Sequence, residues 1–285
     1  MIAGASWLWW LGFHAAVAML LVADALLPGY RGRSRHPEKW AWVGTGGFAL
    51  AAAGFALWIG FAQGRQPAFE FVAGYTIEAS LSVDNLLVFL VLFRGFQISR
   101  ARQHKALLWG VGCAVVLRAA FISAGVTLLA RVHWITWLFG LILLYASWRL
   151  LRGGSARAVI PRWIRRLQPA RGSLLPVILA VEVTDLVFAM DSIPAVLSVT
   201  HNPFVAYTSN IAAILGLRSL YFALAAMLDR FRSLHYGLAA LLAFAAFKML
   251  AARWIEIPIV PSLAVIGAIL AIFAVLSLWR KGREA

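Results

Sequence analysis

The sequence predicts an all-α polytopic membrane protein of about nine transmembrane helices, and three observations carry that expectation. Hydrophobic residues make up 62% of the 285 positions, with a mean hydropathy of +0.83, against roughly 45–50% apolar usage in a soluble domain. Breaks at Arg, Gly and Pro clusters divide the chain into nine apolar runs, each near the roughly 20 residues that a spanning helix needs. Loops between the runs hold most of the Lys and Arg, which accounts for a net charge of +15. Nucleic acid is not an expected partner, because it needs a basic face on a water-soluble domain, and here the Arg residues punctuate apolar spans.

In chain order the runs lie at about 6–27, 41–62, 71–93, 106–130, 133–151, 174–200, 204–228, 235–253 and 260–279. The first is expected to be retained, since it has no basic residues before it and no small-residue cleavage pattern before the basic loop. Basic segments at 31–39, 94–105, 149–171, 230–232 and 280–283 follow the first, third, fifth, seventh and ninth runs, while the other side has Arg65, Arg131 and Arg253. The positive-inside rule then expects an outside N-terminus and a cytoplasmic C-terminus in a bacterial inner (plasma) membrane. Trp residues in the first, second, fifth and ninth runs read as an interfacial belt. His14, His104, His133, His201 and His235 lie at run edges or loops without a metal-type i, i+4 partner.

Carboxylates interrupt this pattern twice. The stretch T-I-E-A-S-L-S-V-D-N at 76–85 places Glu78 and Asp84 inside the third run, and E-V-T-D-L-V-F-A-M-D-S-I-P at 182–194 does the same in the sixth. Aligning Asp84-Asn85 with Asp191-Ser192 sets Glu78 opposite Asp185 at one offset of 107. A carboxylate in mid-bilayer costs from about 2.5 to more than 10 kcal/mol, so the motif demands compensation. The two runs cross the membrane in opposite directions. L-R-A-A-F at 117–121 resembles L-R-S-L-Y at 217–221, and Y-A-S-W-R-L at 145–150 resembles F-A-A-F-K-M at 244–249. Runs 3–5 thus read as inverted in runs 6–8, the pattern of a transporter with a midplane site between repeats. The expected organisation is a two-helix extension at 1–68, a core at 69–255 with repeats at about 69–151 and 174–253, and a terminal helix with a basic tail at 256–285.

These motifs, with S-N-I-A-A-I-L-G-L-R-S-L-Y at 209–221, closely resemble the TerC family of integral membrane proteins over about residues 70–255. Ala212 stands where many relatives have Phe, at a packing position. Runs 1 and 2 are similar to the N-terminal extension of longer, Alx-like members. The resemblance implies a place in the LysE-type transporter group. Members are associated with tellurium resistance by name and, in the Alx-like branch, with manganese export.

Hard divalent ions prefer carboxylate, amide and carbonyl oxygens, which Asp84, Asn85, Asp191 and Ser192 supply. Cys113 is the single cysteine, so a metal must be held by oxygen or His. In a straight helix Glu78 and Asp84 are rotated by about 120° and displaced by about 9 Å, so both cannot clasp one ion without a break. Pro194 suggests such a break in run 6. The expected arrangement pairs Asp84 with Asp191 across a pseudo-twofold axis, with Glu78 and Asp185 as further ligands or proton acceptors. The alternative is structural: carboxylates paired with Arg118, Arg218 or Lys248 to hold helices together. Glu182 is either an accessory ligand or a charge at the helix start, and Asn210 either completes coordination or bonds between helices. Arg118 and Arg218 are expected to be counter-charges that tune the empty site.

No ATP-hydrolysing phosphate loop is present, so transport would be secondary. The expected function is export of a divalent cation, with manganese favoured, in exchange for protons. No tightly bound cofactor is expected, and the oligomeric state is left open. The alternative is a membrane scaffold or assembly factor for tellurite or envelope stress resistance. An enzyme is not expected, because Asn and Ser after the two Asp suit coordination better than hydrolysis.

Overall fold

The computed structural model describes residues 6–26, 37–124, 134–152, 174–228, 234–252, 254, 255 and 257–282. Among them there are nine helices and no strand: α1 (Trp7–Ala25), α2 (Pro37–Gln63), α3 (Arg65–Gly95), α4 (Arg100–Ala124), α5 (Trp134–Leu151), α6 (Leu175–Val199), α7 (Pro203–Leu228), α8 (Leu234–Ala251) and α9 (Ile259–Gly282). Each overlies one apolar run. Five of them, α1, α2, α3, α4 and α7, are long and apolar enough to cross a membrane. The expected nine crossings are therefore matched outright by five helices. In α5, α8 and α9 the apolar stretches are shorter, and α6 carries Glu182, Asp185 and Asp191 within one stretch. Of the basic residues on which the expected orientation rests, those of 31–35, 157–171 and 230–232 lie outside the described residues.

Helix ends follow local chemistry. Gly64 separates α2 from α3 at φ 99°, a backbone region that costs glycine nothing, and it lets the two long helices reverse with no loop between them. The α7 start is capped by Asn202, whose side-chain oxygen accepts from the backbone N–H of Phe204 at 3.0 Å and Val205 at 3.4 Å. Pro203 occupies the first helical position, where its missing N–H costs nothing. Thr200, in the turn before it, donates to Glu70 on α3 at 2.6 Å, which fixes the α6–α7 reversal against α3. The break that Pro194 suggested is not seen: α6 runs continuously through it to Val199.

The bundle is organised around α3 and α7, whose faces are the most enclosed. α7 packs on α3, α2, α4 and α1, α3 on α6, α4 on α6, and α5 on α8. The outer helices expose large apolar side chains such as Leu50, Phe61 and Met19, the behaviour of helices facing lipid rather than water. Small residues permit close approach inside. Gly140 on α5 is one case, since a Cβ there would lie 2.9 Å from Leu250 Cγ and 3.4 Å from Met249 Cβ on α8.

This contact yields a test. Gly140→Ala should lower the thermal unfolding temperature in detergent, by overpacking worth about 1–3 kcal/mol. Gly112→Ala, where a Cβ meets nothing within 4 Å, should be neutral or stabilising by roughly 1 kcal/mol from helix propensity. Equal responses would mean that α5 and α8 do not meet at Gly140.

Candidate cation site

Four helices converge on one guanidinium. Arg118 of α4 is buried and forms an ion pair with Glu78 of α3, Nη1 to Oε1 at 2.8 Å, and a longer one with Asp185 of α6 at 3.6 Å. Its Nη1 also donates to Asn210 Oδ1 on α7 at 2.6 Å and to Ser192 Oγ on α6 at 3.3 Å. Glu78 is held from every side. Ser82 donates to Oε1 at 3.2 Å and Asn210 Nδ2 to Oε2 at 2.9 Å. Asn210 thus joins the layer through both ends of its amide, bonding between helices, one of the two roles expected for it.

Asp84, six positions further along α3, is in a second arrangement. Its Oδ2 pairs with Lys248 Nζ of α8 at 2.8 Å, and its Oδ1 is buried without a hydrogen-bond partner. Asn85 Oδ1 is likewise buried and unpartnered, while the Asn85 side chain bonds to Asp185. Glu78, Asp84, Asn85, Ser192 and Lys248 line one cavity of about 30 Å³, closed on its apolar side by Leu81, Phe188, Ala245 and Met249. That is room for about one water-sized particle. A second cavity of about 30 Å³ is lined by Glu182, Asp185, Arg218 and Gly110 among apolar residues. Glu182 is buried and neither of its oxygens has a hydrogen-bond partner.

The residues singled out from the sequence are therefore largely together. Glu78, Asp84, Asn85, Asp185, Ser192 and Asn210 are buried in one layer with Arg118, and Glu182 is next to it. The Asp191 side chain lies outside the described residues, so the expected Asp84–Asp191 pairing does too. Among the described residues no three His, Cys, Asp or Glu side chains form a ready metal-holding group. What the described cavity offers a cation is carboxylate oxygen from Asp84 with amide and hydroxyl oxygen from Asn85 and Ser192, a set suited to a hard ion.

Arg218 does something sequence reading missed. It forms a buried ion pair with Asp24 of α1, whose Oδ1 also accepts from Ser219 Oγ at 3.0 Å. This pair ties α1 to α7. Asp24 was not singled out, though a carboxylate ending an apolar run was the available signal. Lys248 was named only as one of three alternative counter-charges. His14 bridges helices too, with Nε2 at 2.9 Å from the Tyr207 hydroxyl. Among the described residues, the buried carboxylates within the helices are Asp24, Glu78, Asp84, Glu182 and Asp185, and the cations paired with four of them are Arg118, Arg218 and Lys248. Carboxylates outnumber cations there, and the surplus is what a bound cation or protons would neutralise.

Such a bundle, apolar outside with a buried acidic layer, defines an α-helical integral membrane protein. The chain belongs to the TerC family: the family described as "Integral membrane protein TerC family" matches residues 63–285. An uncharacterised membrane protein of Myxococcus xanthus, STKORF319, is 37% identical, covering 97% of this chain and 93% of its own. The Alx protein of Escherichia coli strain K12, whose name proposes a membrane-bound redox modulator, is 36% identical over 96% of this chain and 95% of its own. The chloroplast thylakoid membrane protein TERC of Arabidopsis thaliana is 34% identical over 82% of this chain and 67% of its own. No solved structure matches.

Removing one partner of a buried pair leaves an uncompensated charge, at a cost of about 3–5 kcal/mol. Arg118→Met should therefore sharply reduce the yield and unfolding temperature of the folded protein. Adding Glu78→Gln to the same chain should recover part of the loss. A double variant no more stable than Arg118→Met would show that Glu78 and Arg118 are not coupled.

Proposed function

We propose that this protein is a secondary transporter that exports a divalent metal cation, with manganese the favoured substrate, in exchange for protons. The observation that carries the reading is the cavity into which Asp84 and Asn85 bring buried oxygens that no protein group satisfies. Buried polar atoms are almost always partnered. An orphaned carboxylate oxygen next to an orphaned amide oxygen is a place where a hard cation replaces the missing donors. Asp84, Asn85 and Ser192 would hold the ion, joined by Asp191 from the matching motif on α6. Glu78, bonded on both oxygens, would fix the geometry of the layer, and Asp185 with Glu182 would accept protons. The preference for manganese rests on the resemblance of the chain to the Alx-like branch.

The helix contacts support an inverted repeat of α3–α5 and α6–α8. Equivalent helices touch as α3–α6, α4–α7 and α5–α8, and the cross contacts α3–α7 and α3–α8 have counterparts in α6–α4 and α6–α5. A twofold exchange maps the first three pairings onto themselves and swaps the cross contacts. Nine crossings with the N-terminus outside and the C-terminus cytoplasmic, in a bacterial inner membrane, complete this reading. The α1–α2 extension would be held on by Asp24 and Arg218.

One observation favours the alternative of a scaffold: Asp84 and Glu78 each have an ion-pair partner, as helix-fastening carboxylates do. The two readings separate on flux. Sealed vesicles containing the purified protein should accumulate manganese, and Asp84→Asn should reduce the rate at least about tenfold, the effect of losing roughly 1.4 kcal/mol of binding or more. Vesicles with the parent protein that pass no divalent ion at all would leave the scaffold.

The proton side is tested by binding. Metal binds the ionised carboxylate and so releases protons, which makes apparent affinity rise with pH until the site is fully deprotonated. Calorimetry at two pH values, in buffers of different ionisation enthalpy, should show both effects. Binding without proton release and without pH dependence would remove proton exchange and leave facilitated export.

A further inference from the structure

Where Arg118 pairs with Glu78 and Asp185, and Arg218 with Asp24, Lys248 pairs with Asp84. Its ammonium lies 2.8 Å from Asp84 Oδ2, its side chain is 20% exposed where that of Asp84 is 5% exposed, and both line the same cavity. Arg118 is wedged among four partners on three other helices, and Arg218 is buried against Asp24. Lys248 differs from both in having a side that reaches the surface, where the two arginines are enclosed. A lysine with an apolar stem can hold its ammonium inward on a carboxylate or carry it outward. Ala245 and Met249 of the same helix flank it in the cavity wall, so outward movement leaves the apolar lining in place and vacates only the cation position.

We propose that the Lys248 ammonium is a tethered occupant of the cation position, which a divalent ion displaces and a monovalent ion does not. The proposal rests on the reading of the Asp84 cavity as a cation site and adds the source of its charge selectivity. A sodium or potassium ion arriving at Asp84 exchanges one positive charge for another and gains no Coulomb energy. It also competes against a group held nearby at high effective concentration. A divalent ion brings twice the charge into a layer with surplus carboxylate, and takes up the unpartnered Asp84 and Asn85 oxygens that the ammonium leaves unused. The lysine thus keeps the metal-free site neutral at Asp84, closed to abundant monovalent ions, and weaker toward metal than its oxygens alone would be.

The experiment uses the full chain in detergent, titrated calorimetrically with manganese chloride, with sodium as competitor and ionic strength held by a bulky organic cation. In Lys248→Met manganese affinity should rise about tenfold, since occupancy of a site by its own side chain weakens apparent affinity in proportion to the open fraction. Sodium should compete in Lys248→Met and not in the parent. Lys248→Arg should behave as the parent toward sodium. In the unaltered protein, saturating manganese should speed acetylation of Lys248, followed by peptide mass spectrometry, and this arm needs no variant to fold. Unchanged or weaker manganese binding in Lys248→Met, with sodium still excluded, would overturn the proposal. So would manganese binding to the parent with no change in Lys248 labelling; in both cases the cation site itself stands. If neither parent nor Lys248→Met binds manganese, the cation site falls and this inference with it.

Discussion

The structure depends on paying for carboxylates in an apolar bundle, and Arg118 is where that is done. A buried charge is tolerated when it is paired and its remaining lone pairs or protons are satisfied. Arg118 supplies the pairing for Glu78 directly and for Asp185 at longer range, while its Nη1 bonds Asn210 and Ser192 and its Nε and Nη2 are left without a hydrogen bond. Because these partners sit on α3, α6 and α7, the guanidinium sets the relative register of four helices. Nη1 takes Glu78, Asn210 and Ser192 while Nη2 faces Asp185, a two-nitrogen reach that the point charge of a lysine ammonium lacks.

Around that fixed point the layer divides into a rigid part and a part with room to change. Glu78 has all its oxygens engaged, which suits a positioning role. Asp84 and Asn85 have oxygen to spare and Glu182 has two unpartnered oxygens, each beside a water-sized cavity. The Asp24–Arg218 pair closes the other end of the account by fastening α1 to the side of α7.

Much of this was legible in the sequence because membrane helices are written in long apolar runs, and a charge inside one is conspicuous. All nine described helices overlie expected runs, and the repeated acidic motif pointed to carboxylates that the fold buries. The partners were not legible. Lys248 and Asp84 are separated by 164 positions, and no local pattern says which of three cations meets which carboxylate. Asp24 passed unnoticed because a single acid near the end of a run looks like a solvated helix end, and only its burial against Arg218 distinguishes it. Pro194 misled for a physical reason: a proline removes one backbone bond and clashes with one carbonyl, and packing against neighbouring helices can keep the helix whole.

The central claim is that the cavity beside Asp84 is built for a hard divalent cation, and locating the ion tests it most directly. Crystals of the full chain grown with manganese should show, in anomalous scattering at a wavelength that excites the metal, a peak among Asp84, Asn85 and Ser192, with the Lys248 ammonium withdrawn from Asp84. A manganese peak at another place, or none in that cavity with Lys248 still on Asp84 under saturating metal, would contradict the account.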